Sequence, residues 1–428
     1  MTLQETNFWL ETLTDPPTYG GQPWPAQVDV AVIGAGITGL SAAYALARQG
    51  VSVAVLEAHD IGWGASSRNG GMVLTGLKLG ADSLVARYGR EHARRLYAAS
   101  LAAVDCVEQI VRAEKIDCNF VRCGHLEVAA KPAHFKAFVK AAAAMQREFQ
   151  HEVRIVPPDE LHTEIGSQAY HGGLVDDASA SVNPARYVAG LGAAAAHAGA
   201  SLFPQCPVEK VEPAGSNYKL RAGRGALLAQ HVLVATSGYT SRATPAHQRR
   251  IVPIGSYIIA TDILPETLAR DVSPRNRMIF DSKNFLYYFR LTPDRRMLFG
   301  GRAGFFPETP TTVHESARIL HQAMLKVYPQ LQDVPVAHAW GGTLDFAFDL
   351  MPHAGQLDGL WYALGYAGHG VALATYLGTA LAAAIGGQPH DNPFAELSFP
   401  RAPLGLYDGR PWFLPFAEVW YKFLDLVS

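Results

Sequence analysis

Residues 28–58, VDVAVIGAGITGLSAAYALARQGVSVAVLEA, place an apolar β run, a glycine turn, a helical stretch ending at Gly50 and a second β run in one continuous segment. This is a βαβ unit. Gly34, Gly36 and Gly39 supply G-x-G-x-x-G between the first strand and the helix. The first glycine permits the tight turn, the second lets backbone approach a pyrophosphate, and the third packs helix on strand. Ile37 and Thr38 fill the variable positions at the start of the helix. Glu57 ends the next strand 18 residues after Gly39, followed by Ala58, where a carboxylate accepts hydrogen bonds from a ribose diol. The competing reading, a tight turn with a surface glutamate, requires all of these features to coincide by chance. The fingerprint alone does not separate NAD from FAD.

The loop after the ribose acid bears on that choice. IGWGASSRNGGM, residues 61–72, is a second glycine-rich polar stretch. It offers hydroxyls, a guanidinium and N–H groups where more cofactor would lie, and an NAD enzyme has little use for it. Further along, residues near 84–150 carry apolar positions at alternating three and four spacing, which predicts two amphipathic helices. HVLVATSGY reads as a buried strand of the parallel type. From about residue 251, VPIGSYIIATDIL, NFLYYFRLTP and RRMLFGGRAG are β runs joined by Pro, Asp and Gly turns, which predicts a mainly antiparallel sheet. The pattern then returns to strand, glycine turn and helix at LWYALGYAGHGVALATYLGTALAAAIGG. The expected fold is α/β (α+β): a discontinuous Rossmann-like dinucleotide-binding domain over 1–80, 151–245 and 336–428, with an antiparallel substrate domain over 81–150 and 246–335 inserted in it.

Composition narrows the function classes. The 428 residues are 49% hydrophobic with a formal net charge of −2 and no basic block, which argues against nucleic acid and against an anionic membrane surface. The segment from Gly370 to Gly387 is uncharged but rich in Ala, Gly and Thr and short for a membrane span, so it reads as a helix packed inside the protein. The first residues carry acids and no apolar h-region, which makes the cytoplasm the simplest location. Cys106, Cys118, Cys123 and Cys206 lack C-x-x-C spacing and read as reduced thiols, which argues against a disulfide reductase. No metal-ligand pattern stands out.

Taken with the fingerprint, ASSRNGG, VPIGSYIIATDIL, YYFRLTPDRRMLFGG and GYAGHGVALA, in that order, resemble the D-amino-acid oxidase superfamily of FAD-dependent amine and amino-acid oxidases, most of all its gamma-glutamylputrescine oxidase branch. The resemblance runs over nearly the whole chain. It implies FAD held non-covalently, because Gly64 stands where covalent relatives carry a histidine and no cysteine lies in the C-terminal half. It makes Glu57 the ribose acceptor and Ala65, Ser66, Ser67, Arg68 and Asn69 neighbours of the pyrophosphate and flavin chain. Gly70, Gly71 and Met72 would pass along the isoalloxazine, and Val208 would meet adenine through its backbone. Gly368, His369, Gly370 and Val371 would bring backbone and a helix N-terminus to the flavin ring, where negative charge accumulates on reduction. His369 is the candidate catalytic residue, against the alternative of a histidine that only caps its own loop.

The implied activity is oxidation of an amine by hydride transfer from its α-carbon, giving an imine that hydrolyses to aldehyde and ammonia or a smaller amine. Oxygen or another acceptor takes the electrons. One departure concerns the substrate: where glycine and D-amino-acid oxidases resemble one another in an arginine that clamps the substrate carboxylate, WGGTLDFAFDLMP places Leu344. Asp345 beside it is a candidate for attracting a second ammonium. Tyr257, Tyr287 and Tyr288 are candidates for walling the substrate pocket. Two alternatives stay open: an oxidase or dehydrogenase of an N-substituted or cyclic amino acid, with Arg290 or Arg302 holding the carboxylate, and a flavin-holding subunit with little chemistry of its own. Sequence leaves the oligomeric state undetermined.

Overall fold

The computed structural model describes residues 3–301, 310–388 and 390–416. Arg302 and the end of the aromatic C-terminal stretch, from 417, lie outside them.

The first sheet grows from the strand Gln27–Ile33. Its parallel neighbours are Val53–Leu56 on one side and Gly225–Val234 on the other, and Ser201–Phe203 and Leu360–Leu364 extend the parallel run outward. An antiparallel hairpin, Val208–Ala214 with Asn217–Ala222, and the edge strand His353–Leu357 complete eight strands. Val30, Val32, Val53 and Val55 face one core with Leu40, Leu46, Leu191, Leu373 and Leu377, so the helices Ile37–Ala47, Pro184–His197 and Gly370–Ile385 cover this face. The helix Gly370–Ile385 is buried by its small residues against Ile37–Ala47, as expected; Gly378 sits where a Cβ would come 2.4 Å from the Thr38 carbonyl. No helix among the described residues is long and apolar enough to cross a membrane.

The second sheet runs, by strand neighbours, Val336–Ala347, Ile251–Ile263, Arg296–Gly301, Tyr287–Leu291, Met278–Asp281, His125–Val128, Gly173–Asp176 and Arg154–Val156. Every pairing is antiparallel except Met278–Asp281 with His125–Val128. The helix Pro310–Val327 packs Leu320 and Met324 on its outer face against Ile259, Phe289 and Phe299. The rings of Phe289 and Phe299 stack with centroids 5.2 Å apart. Burying each such side chain contributes about 1.5–3 kcal/mol.

Several segments pair across the expected boundaries. Arg154–Val156, Gly173–Asp176 and Val336–Ala347 lie in the second sheet, although their flanks belong to the first domain. The last follows from complementarity with Ile251–Ile263: the two alternate in register from Ile251 opposite Ala347 to Ala260 opposite His338. Conversely, the helices Ala81–Tyr88 and Arg90–Ala113 turn Leu84, Leu96, Val104 and Ile110 into the core of the first sheet. Between them and the helix Pro132–Phe149 the chain returns to the second sheet as His125–Val128. Two of the four free cysteines, Cys118 and Cys206, are buried; Cys106 and Cys123 are half-buried.

Candidate active site

A cavity of about 590 Å³ opens at the C-terminal edge of the first sheet, where the chain leaves the central strand in opposite directions, and continues under the second sheet. Such a switch point is where open parallel sheets bind ligands. Gly34 makes the turn possible: its φ is +101°, and a Cβ there would stand 2.6 Å from the Ala235 carbonyl oxygen. Gly39 does not reach the cavity. It lets the helix Ile37–Ala47 lie on the strand, since a Cβ would fall 2.0 Å from the Gly34 carbonyl.

Gly34, Gly36, Ile37 and Thr38 line one end of the cavity with Glu57, Ala58 and Val208. The Glu57 carboxylate accepts from the Ala35 N–H at 2.8 Å and the His59 N–H at 3.0 Å, which fixes its direction. Ala65, Ser66, Asn69, Gly70 and Met72 form the next stretch of wall, and the Ser66 hydroxyl accepts from the Ile37 N–H at 3.0 Å. The helix N-terminus, the hydroxyl and the carboxylate together suit an extended, anionic dinucleotide.

Ser67, Arg68 and Gly71 lie behind this loop and off the wall. The Ser67 carbonyl accepts from Asn7 Nδ2 at 2.9 Å, the Arg68 carbonyl from Trp340 Nε1 at 2.9 Å, and the Asn69 carbonyl from Trp9 Nε1 at 2.9 Å. Arg68 turns back, donating to the Trp63 carbonyl at 2.8 Å with its guanidinium 4.7 Å from the Trp63 ring centroid. The carbonyls of a short, partly buried loop need donors, and here side chains from distant parts of the chain supply them from behind. Arg290 belongs to the same backing: buried, it donates to the Val182 carbonyl at 2.7 Å and sits over Trp9 instead of facing the cavity. Burial draws its guanidinium down to about 10.

At the far end the turn Gly368, His369, Gly370 and Val371 lines the cavity, and the helix Gly370–Ile385 starts there with no side-chain cap. Burial lowers the His369 imidazole to about 4, assisted by the positive charge of Lys78, so it is neutral at pH 7. Among the described residues its buried Nδ1 has no hydrogen-bond partner. Asp345 also borders the cavity, but its carboxylate accepts from the Gly365 N–H at 2.6 Å and the Tyr366 N–H at 3.3 Å. Burial pushes its carboxyl above the ordinary value. A carboxylate engaged on both oxygens by backbone anchors the glycine turn.

Of the three tyrosines, only Tyr288 lines the cavity, with its hydroxyl 3.2 Å from the Ser256 hydroxyl. Tyr257 and Tyr287 flank Gly301 from the two adjacent strands and so point together to the opposite face, where Tyr257 donates to Thr312 Oγ1 at 3.1 Å. Strand alternation decides this. Leu344 is on the wall as expected. Lys78, Ser256, Phe280 and Leu286 complete this end, and sequence reasoning misses all four. Parity along SYII and LYY finds Ser256 once Tyr288 is assigned inward; Lys78 lies in a loop without a motif.

A family model described as DAO, FAD dependent oxidoreductase, matches residues 29–384. The chain belongs to this family. A probable oxidoreductase OrdL of Rhizobium meliloti is 33% identical over 97% of each chain. The gamma-glutamylputrescine oxidoreductase of Escherichia coli is 30% identical over 93% of this chain and 92% of its own. Glycine oxidase from Geobacillus kaustophilus superposes with a TM-score of 0.73 over 88% of this chain and 99% of its own, at 20% identity, a likeness of fold. The DAO chain is therefore an FAD-dependent oxidoreductase, and the elongated cavity with a helix N-terminus at each end fits FAD.

Proposed function

We propose that this protein oxidises an amine that lacks an α-carboxylate, of the gamma-glutamylputrescine or polyamine type, to an imine that hydrolyses to an aldehyde and ammonia or a smaller amine, with oxygen reduced to hydrogen peroxide. The observation that carries this is the wall around Leu344: among the described residues no arginine lines the cavity. A bidentate carboxylate clamp has no donor there. Similarity to the Escherichia coli enzyme over most of both chains supports the same substrate class.

FAD, when bound, supplies the two-electron acceptor. Glu57 and the Ile37 end of its helix would hold the adenosine and pyrophosphate, and the loop 65–72 the flavin chain. The binding is non-covalent, since no described lining residue is a cysteine and Gly64 occupies the alternative attachment position. Tyr288 and Ser256 steady the amine nitrogen, while Phe280, Leu286 and Leu344 keep water from it. Neutral His369 can hold a hydrogen bond at the flavin end without adding a charge that would repel an ammonium. The test is peroxide formation by the purified holoenzyme from gamma-glutamylputrescine, putrescine, sarcosine, pipecolate and D-alanine. The proposal expects peroxide from the first two. Peroxide from the amino acids alone would replace it with the amino-acid oxidase alternative.

A further inference from the structure

Three rings outside the glycine fingerprint also line the cavity: His59, Trp63 and Tyr239. They come from two separate segments. His59 and Trp63 lie between Glu57 and the loop 65–72, and their rings stack with centroids 3.9 Å apart at 28°. Tyr239 ends the short turn Ser237–Tyr239 after the strand Gly225–Val234, and its ring meets Trp63 edge-on, 5.4 Å away at 64°. Two glycines make room for this meeting. A Cβ on Gly64 would stand 2.9 Å from the Tyr239 ring, and a Cβ on Gly238 would fall 2.7 Å from the Leu344 carbonyl oxygen. The turn therefore lies directly on the strand Val336–Ala347, where the Tyr239 hydroxyl accepts from the Thr343 N–H at 3.1 Å.

The contact between Trp63 and Tyr239 thus joins the segment after the ribose acid to the second sheet, along the wall of the cavity. Trp63 is only half-buried and Tyr239 is 36% exposed. Ring surface left open on a cavity wall is stabilised by a ligand that covers it. The sequence position of the rings says which part of the ligand that is. Their segment runs from Glu57, whose carboxylate accepts from the His59 N–H at 3.0 Å, to Ser66, whose hydroxyl accepts from the Ile37 N–H at 3.0 Å. Glu57 suits a ribose and the helix start at Ile37 a pyrophosphate, so the rings belong to the adenosine diphosphate half of FAD.

We propose that His59, Trp63 and Tyr239 form an aromatic clasp on the adenosine diphosphate half of FAD, and that the parting of Trp63 from Tyr239 sets the rate at which the cofactor leaves. The inference concerns retention of FAD and stands whichever amine reacts. The test uses the holoenzyme and needs no substrate. Holoenzyme is diluted far below its Kd for FAD, and the rise in fluorescence of the released flavin gives the release rate. Trp63→Ala and Tyr239→Ala are each expected to release FAD about twofold to tenfold faster, the loss of one aromatic contact. Trp63→Phe, which keeps a ring, is expected to restore most of the slow release. Because the two rings act through one contact, the double variant should be accelerated by less than the product of the single effects. The visible spectrum of the bound flavin should stay as in the wild type, since the clasp lies away from the isoalloxazine. Release as slow in both single variants as in the wild type, or effects that multiply in full in the double variant, would overturn the proposal. A shifted flavin spectrum with unchanged release would overturn it as well, by moving the rings to the flavin end. Should Trp63→Ala not fold, Tyr239→Ala and Trp63→Phe carry the same comparison.

Discussion

Asp345→Asn separates a turn anchor from a substrate ligand. In the wild type both carboxylate oxygens accept backbone N–H groups, from Gly365 at 2.6 Å and Tyr366 at 3.3 Å, and the side chain is 3% exposed. The amide keeps the shape but offers one acceptor. Losing a charge-assisted bond costs about 1.5–3 kcal/mol, and setting an NH2 against a buried N–H adds about 1–3 kcal/mol. Burial already raises the Asp345 carboxyl above its ordinary value, so a neutral side chain recovers part of that sum. A net loss of about 2–4 kcal/mol remains. Urea unfolding followed by tryptophan fluorescence should therefore show a clearly lower midpoint. Because the same turn carries Gly368 and His369, FAD should be released at lower urea as well. A variant as stable as the wild type with a raised KM for diamines alone would refute the anchor and restore Asp345 as a substrate ligand.

Gly39→Ala puts a Cβ 2.0 Å from the Gly34 carbonyl and should yield protein that is purified largely without FAD, read from the ratio of absorbance at the flavin band to that of the protein. Trp9→Phe removes the 2.9 Å bond to the Asn69 carbonyl from outside the cavity, at about 1 kcal/mol, and should raise the Kd of the apoprotein for FAD severalfold. His247 is 1% exposed, neither ring nitrogen has a partner among the described residues, and burial lowers it to about 4. Its unfolded value is about 6.5, so the unfolded state binds the proton first, and stability present above that pH falls as pH drops from about 6.5 to about 4, by about 3 kcal/mol. His247→Leu should flatten that part of the stability–pH curve; an unaltered curve would assign the acid loss elsewhere.

The nucleotide half of the fold is legible because βαβ writes its turn, helix and acid within one stretch of chain, and Gly34, Gly39 and Glu57 each have a local reason for being what they are. The helix from Gly370 is legible for the same reason. The features that escape a reading of the sequence depend on pairing between distant segments. Val336–Ala347 joins the second sheet through its match with Ile251–Ile263, which nothing inside either strand announces. Adjacent tyrosines at 287 and 288 look alike in sequence, yet alternation sends one into the core and the other into the cavity. Ser67 and Arg68 belong to the expected loop but to its far side, because the groups that satisfy its carbonyls, Asn7, Trp9 and Trp340, come from opposite ends of the chain. Asp345 shows the same dependence: the N–H groups of Gly365 and Tyr366 that engage its carboxylate come from a later segment, and nothing beside Asp345 in sequence announces them.

The most direct measurement of the central claim is anaerobic bleaching of the bound flavin's visible absorbance by amines with and without an α-carboxylate. Rapid bleaching by gamma-glutamylputrescine or putrescine, with none by glycine, sarcosine, pipecolate or D-alanine, is the result expected from a cavity with Leu344 where a clamp would stand. Bleaching by the amino acids alone would contradict it, and a flavin that no amine reduces would make this chain a holder of FAD and not an amine oxidase.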